Sequence, residues 1–127
     1  MATLGVGVDV VDVARFALAL DRRPRLVGRL FTENEQRDAH QATERLAARF
    51  AAKEAVLKSL HVGLGALPWH SIEICREPNG APRVELHERA LEFARASGVA
   101  SMELSLTHTH TTAAAVVVAS SRDDRAG

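Results

Sequence analysis

A single cysteine, Cys75, stands in this chain of 127 residues. An intrachain disulfide is therefore excluded, and the scarcity fits a reducing, cytoplasmic setting. In a strand-like context the thiol is expected to serve as small core filling. Long apolar runs are missing as well: none approaches the ~20 residues that span a bilayer. The opening "MATLGVGVDVVDVARF" lacks a basic leader and is broken by acids, unlike a signal peptide. Nor is there any excess charge, since 16 Lys+Arg balance 16 Asp+Glu. That balance argues against a general nucleic-acid binder. Repeats, linkers and low-complexity blocks are also lacking. With 46% hydrophobic residues, the chain is expected to form one compact domain over residues 1–120, with a polar, disordered tail at 121–127.

Lysine is scarce, and its placement is informative. Lys53 and Lys58 are the only two, and both fall in "RFAAKEAVLK"; every other basic residue is an arginine. The arginines are unevenly placed too. Arg15, Arg22, Arg23, Arg25 and Arg29 lie close together with one acid, Asp21, among them. Such a patch can steer an acidic partner, or can simply be a solvated helix face.

The residue pattern predicts an α+β fold, with a mostly antiparallel sheet packed on one long helix. "LGVGVDVV" reads as a strand ending near Asp9, and Asp12 can cap a helix through Leu20. Pro24 can open a short helical turn, and "TENE" has the capping-box form with Thr32 as cap and Glu35 as reciprocal acceptor. Helix is expected from there to Leu60, with a break near residues 40–43. "SIEICRE" and "PRVELH" flank an Asn79-Gly80 hairpin signal. A helix over residues 88–97 follows, closed by Gly98, and then two strands, "SMELSLTH" and "TAAAVVVAS".

On a helical wheel Leu46, Phe50, Leu57 and Leu60 form an apolar stripe, and Lys53 falls inside it. A buried, unpaired ammonium costs several kcal/mol, roughly, so either its stem reaches the edge or an anion awaits it. Glu54 and Lys58 share one flank as a favourable i,i+4 pair, while Arg49 sits on the other. A carboxylate among cations that could bind phosphate makes most sense with a divalent ion between them. Mg²⁺ takes one or two protein carboxylates, here Glu54 and, at the end of the first strand, Asp9.

"GVGVDVV", "RFAAKEAVLK", "PNGAP" and "SLTHTHTTAAAVVV" occur in that order. Together they closely resemble the holo-[acyl-carrier-protein] synthases, the small bacterial phosphopantetheinyl transferases, over about residues 3–120. The resemblance implies transfer of the 4′-phosphopantetheine arm of coenzyme A to a serine of apo acyl carrier protein, leaving adenosine 3′,5′-bisphosphate. It also implies Mg²⁺ and a homotrimer with three active sites at its subunit interfaces. Asp9 and Glu54 would hold the metal, and Lys58 would contact the pyrophosphate and assist the leaving group. Arg49 and Lys53 would lie near coenzyme A phosphates. Asn79, Gly80 and Pro82 would form the turn bordering the adenine, and His108 would line the nucleotide pocket from a neighbouring subunit. Arg15 and Arg22 would lie on the carrier-docking helix. Phosphoryl transfer asks a protein mainly to position reactants and neutralise charge, which fits this set of acids and cations. Glu54, directly or through a metal-bound water, is the preferred base for the serine hydroxyl.

Some positions depart from the family pattern. Ala81 stands where many relatives carry a basic residue before the proline, and "SLHVGLGALPW" replaces a more usual glycine-threonine loop. His110 matches no motif position; a zinc pair with His108 lacks a third ligand. Trp69, the one tryptophan, is expected as a core or interface anchor. Two alternatives stand beside the synthase. One is a non-catalytic relative that binds nucleotide or carrier protein, against which intact Asp9, Glu54 and Lys58 speak. The other is a structural interaction domain, which leaves Asp9 unexplained.

Overall fold

The computed structural model describes residues 1–122. In chain order the elements are β1 (Thr3–Asp12), α1 (Val13–Arg22), α2 (Leu26–Leu30), α3 (Glu33–Ala39) and α4 (Thr43–Ser59). A 3-10 turn (Trp69–Ser71) leads into β2 (Ile72–Arg76) and β3 (Pro82–Leu86), and then come α5 (Glu88–Ala96), β4 (Val99–His108) and β5 (Thr112–Ser121). Every strand pairing is antiparallel, as expected, but the strands divide into two sheets: β1-β5-β4 and the hairpin β2-β3.

Helix α4 runs through the middle. Its Ala42 cap position makes no side-chain hydrogen bond, so tertiary packing rather than capping holds it. It is buried nearly all round: besides Leu46, Val56 and Leu57, its alanines 47, 48, 51, 52 and 55 are closed off. Alanine at these places is what lets neighbours approach from several sides. The closest neighbour is β1. A Cβ on Gly5 would overlap Ser59 O, and one on Gly7 would overlap Ala55 O. The strand therefore lies directly on the helix backbone, a contact open only to residues without a side chain.

The core has two parts. Around the second half of α4, Ile72, Ile74 and Val117 close against Val56 and Leu57. Around the first half, α1 contributes Phe16, α2 contributes Leu30, and Phe31 follows at the end of α2. The Phe16 ring stacks on Phe50 at 5.4 Å, and Phe50 meets Trp69 at 5.5 Å, so Trp69 is the core anchor expected of it. Each fully buried aliphatic or aromatic side chain contributes about 1.5–3 kcal/mol.

Local signals hold closely. Asp12 caps α1 by accepting from Arg15 N at 2.9 Å. Thr32 and Glu35 form both halves of the capping box. The helix break falls at His40 and Gln41, both at positive φ. Four details differ. β1 continues past Asp9 to Asp12, because β5 pairs with it through Thr112. The hairpin is not a two-residue Asn-Gly turn but a longer loop: Gly80 alone of the pair has positive φ, and Gly80 N donates to Glu77 O. Cys75 is half-buried beside Glu85 Oε2 rather than in the core, and burial with the charges of Glu73 and Glu85 pushes its thiol up to about 12. Ser121 still belongs to β5, tied to Ala2 through its hydroxyl; the tail expected from there on falls from residue 123 outside the described residues.

Candidate active site

The glycine contact of β1 on α4 decides where the acids meet. Gly5, Gly7 and Asp9 alternate onto the α4 side of the strand, and Glu54 and Lys58 lie one turn apart on the helix. Lys58 Nζ donates to Asp9 Oδ1 and to Val8 O, each at 3.0 Å. Two of its three protons are thereby spent and one is left for a ligand; the side chain is half exposed. Asp9 also lies within hydrogen-bonding reach of Glu54. Burial, then the Asp9 charge, pushes the Glu54 carboxyl up to about 7, with Lys58 pulling it back. As carboxylates neither acid can donate to the other, and Asp9 Oδ2 is buried without a partner among the described residues. Two mutually repelling carboxylates with an orphaned oxygen are a donor set that suits a hard divalent cation.

A second feature lies on the other flank of α4. A cavity of about 240 Å³ is lined by Arg45, Arg49, Arg76, Gly80, Pro82 and His108, among others. Arg49 Nε is buried without a partner among the described residues, while its Nη1 donates to Arg45 O at 3.3 Å. Burial holds the Arg49 pKa below its ordinary value, with Asp38 and Glu35 pulling it back up. Three guanidinium groups around one concave space suit a phosphorylated ligand. Arg45 and Arg76 were missed in the sequence. Arg45 had a signal, the i,i+4 spacing to Arg49; Arg76 had one only in the strand register, which sets it opposite Pro82. The Arg76 guanidinium reaches to within 3.7 Å of where a Gly80 Cβ would stand, and so brings positive charge to the turn that Ala81 leaves without it.

The structure therefore gathers Arg49, Gly80, Pro82 and His108, and separately Asp9, Glu54 and Lys58. Asn79 does not line the cavity; its Oδ1 accepts from Ala81 N and shapes the turn. Within one chain His108 lines the same pocket as Gly80 and Pro82, because β4 runs out beside the hairpin. His110 sits past the end of β4, in the connection to β5, so the two histidines do not share a regular strand face.

Lys53 is corrected outright. It is fully buried and its ammonium is turned to the chain's own groups: Nζ is 2.7 Å from Glu35 Oε1, 2.8 Å from Leu30 O and 2.9 Å from Trp69 O. The anion awaiting it is a carboxylate of the chain itself, and its three protons are all used. Burial draws its pKa below the ordinary value, with the Glu35 charge and hydrogen bond opposing that. A further cluster, Glu73, Glu85 and His87, brings ligand atoms within 4.8 Å of one another. Thr32 and His87 bond Glu73, and Arg83 bonds Glu85, so it is already an internally paired network.

Arg15 and Arg22 are exposed on α1 together with Leu18, and Arg25 and Arg29 continue the basic surface along α2. Among the described residues, no helix is long and apolar enough to cross a membrane.

Two opposed acids beside a lysine, with three guanidinium groups around a separate cavity, suit a protein that handles a phosphorylated ligand. The family profile described as the 4′-phosphopantetheinyl transferase superfamily matches residues 5–117, and the chain belongs to that superfamily. Among curated relatives, the holo-[acyl-carrier-protein] synthase of Moorella thermoacetica is 46% identical over 121 residues, spanning 93% of this chain and 94% of that one. That of Beutenbergia cavernae is 51% identical over 116 residues, 91% and 97% of the two chains. Among solved structures, the Helicobacter pylori holo-[acyl-carrier-protein] synthase in complex with coenzyme A superposes with a TM-score of 0.83. It is 31% identical and the match covers 91% of this chain and 99% of that one. The Neisseria meningitidis synthase gives 0.85 at 30% identity, covering 94% and 99%.

Proposed function

We propose that this protein transfers the 4′-phosphopantetheine arm of coenzyme A to a serine of apo acyl carrier protein, releasing adenosine 3′,5′-bisphosphate. The observation that carries the reading is the Asp9–Glu54–Lys58 cluster, built on a chain nearly half identical to curated synthases. Asp9 and Glu54 would hold Mg²⁺, which supplies neutralising charge for a diphosphate when bound. Lys58 has one proton free to stabilise charge on the departing bisphosphate. Glu54 would join two roles in one carboxyl group, metal ligand and proton acceptor from the serine. Arg45, Arg49 and Arg76 grip the nucleotide phosphates, and the Gly80–Pro82 side of the turn with His108 borders the base.

None of Asp9, Glu54 and Lys58 lines the arginine pocket of the same chain. This division favours a site shared between copies, the acids of one protomer facing the pocket of the next. The outer face of the three-stranded sheet supports it. Val6, Val8 and Val10 point outward in a row, with Val8 55% and Val10 63% exposed, and Val116 lies across from Val8. An apolar stripe of this kind marks an interface, and three copies closing around it give the homotrimer. A cytoplasmic setting agrees with the half-buried free thiol.

The direct test incubates the protein with apo carrier protein, coenzyme A and Mg²⁺ and follows carrier mass. A gain of about 340 Da is expected, abolished by chelation; an unchanged mass across salt and pH leaves a binding relative without transfer. For docking, Arg15→Glu should raise the carrier KM several-fold with little effect on the coenzyme A KM. Equal changes in both would remove Arg15 from the docking surface.

A further inference from the structure

Lys53 was expected to serve the donor substrate, yet it has no proton to offer one. What it does hold is the segment bearing part of the basic surface. Helix α2 has five residues, too few to stand alone, and its N-terminus has no side-chain cap. Two side-chain donors reach its carbonyls from outside: Lys53 Nζ to Leu30 O at 2.8 Å, and His70 Nε2 to Gly28 O at 2.7 Å. The second anchor depends on the first, because His70 sits in the 3-10 turn whose Trp69 O accepts from the same ammonium. The Phe31 ring, just past the end of α2, lies 5.6 Å from Nζ.

The third partner fixes the ammonium itself. Glu35 Oε1 also accepts from Thr32 N, and Glu35 Oε2 accepts from Ile74 N, so this carboxylate is pinned by α3's own cap and by β2. Every donor and acceptor of the pair is used, which makes it a rigid joint among α4, α2, α3, β2 and the 3-10 turn. Glu54 is the next residue on α4. One step along the helix turns the side chain by about 100°, so the joint that faces α2 also sets the roll of α4 and hence the direction of Glu54 toward β1.

We infer that Lys53 is a positioning residue for the acceptor substrate: with Glu35 and His70 it fixes the Arg25–Arg29 segment at a set distance from Glu54. A carrier docked on α1 and α2 then presents its serine to the acids in register. The inference rests on the docking role given to this surface above. A joint placed only for stability would lower melting temperature and touch both substrates alike, whereas loosening α2 through its His70 anchor acts on the carrier alone.

The test uses His70→Ala, which is exposed and leaves the core intact, and the double variant Lys53→Met/Glu35→Gln, which avoids stranding a buried charge. Coenzyme A and carrier KM, kcat and melting temperature are measured for each full-length protein. The carrier KM should rise roughly tenfold in the double variant and roughly threefold in His70→Ala; in His70→Ala the coenzyme A KM should stay within about twofold of wild type, whereas the double variant also removes the Glu35 charge that acts on Arg49 and should shift both. A folded His70→Ala with an unaltered carrier KM overturns the inference, as does a parallel rise for both substrates in His70→Ala. Should the double variant not fold, His70→Ala decides alone. If Arg15→Glu leaves carrier KM unchanged, it is the docking assignment that fails, independently of these results.

Discussion

Glu54→Gln and Asp9→Asn should each cut turnover by roughly a hundred- to a thousandfold, the loss that follows removal of one group stabilising developing charge in a closed site. Neither should unfold the protein, and in metal-free solution Glu54→Gln should make it more resistant to denaturant. The sign follows from the carboxyl pair. Folding raises the Glu54 pKa from its usual 4.5 to about 7, through burial and then the charge of Asp9. The folded state therefore holds a proton that the unfolded state releases, and stability falls as pH rises from about 4.5 to about 7 and stays low above that. Gln carries no such charge, so the advantage of Glu54→Gln should be full at pH 8 and gone at pH 4. Cation binding must expel the same proton, so Mg²⁺ affinity should climb with pH up to about 7 and level off. Denaturant curves at the two pH values, with calorimetric titration of Mg²⁺, test both halves. Wild-type turnover in either variant, or a metal affinity flat from pH 5 to 8, would separate these acids from the cation.

The second large effect concerns assembly. Val8→Asp puts a charge in the centre of the outer apolar stripe, at a position 55% exposed in the single chain. The protomer should keep its fold, since nothing in its own core is disturbed. Three such charges brought together in a dry interface would each lack a partner, a cost of several kcal/mol, roughly, per copy. The expected outcome is a folded monomer by light scattering, with transfer activity falling at least about a hundredfold because neither half of the site is completed by its neighbour. A monomer with full activity would place the whole site within one chain.

Much of this architecture was legible because its signals are local. Asp12, Thr32 and the break at His40–Gln41 announce helix ends through chemistry confined to three or four residues. Asp9 and Glu54 were legible as candidate site residues through the order of motifs, and Gly5 and Gly7 explain physically how the two came together. Lys53 was half legible. The wheel placed it in the apolar stripe, where it is, but could not name the anion. Glu35 had been used up as a capping-box residue, and periodicity gives no sign that one carboxylate bonds a cap, a strand and a lysine at once. Arg76 was hidden for a different reason: its closeness to Gly80 and Pro82 exists only after β2 and β3 are registered. The division of the strands into two sheets was likewise invisible, since alternation tells which face is wet and not which strand lies alongside.

The backbone seating of β1 on α4 has a consequence for how such a centre can change. Where two acidic groups are spaced by side-chain rotamers, drift in neighbouring packing can widen or narrow the gap by degrees. Here the spacing is set main chain against main chain, so the pair behaves as a rigid caliper whose jaws move only if an entire strand is displaced. Altering the gap between them would therefore require refitting the sheet, whereas the second pocket, walled by arginine tips and a surface turn, stays open to gradual remodelling.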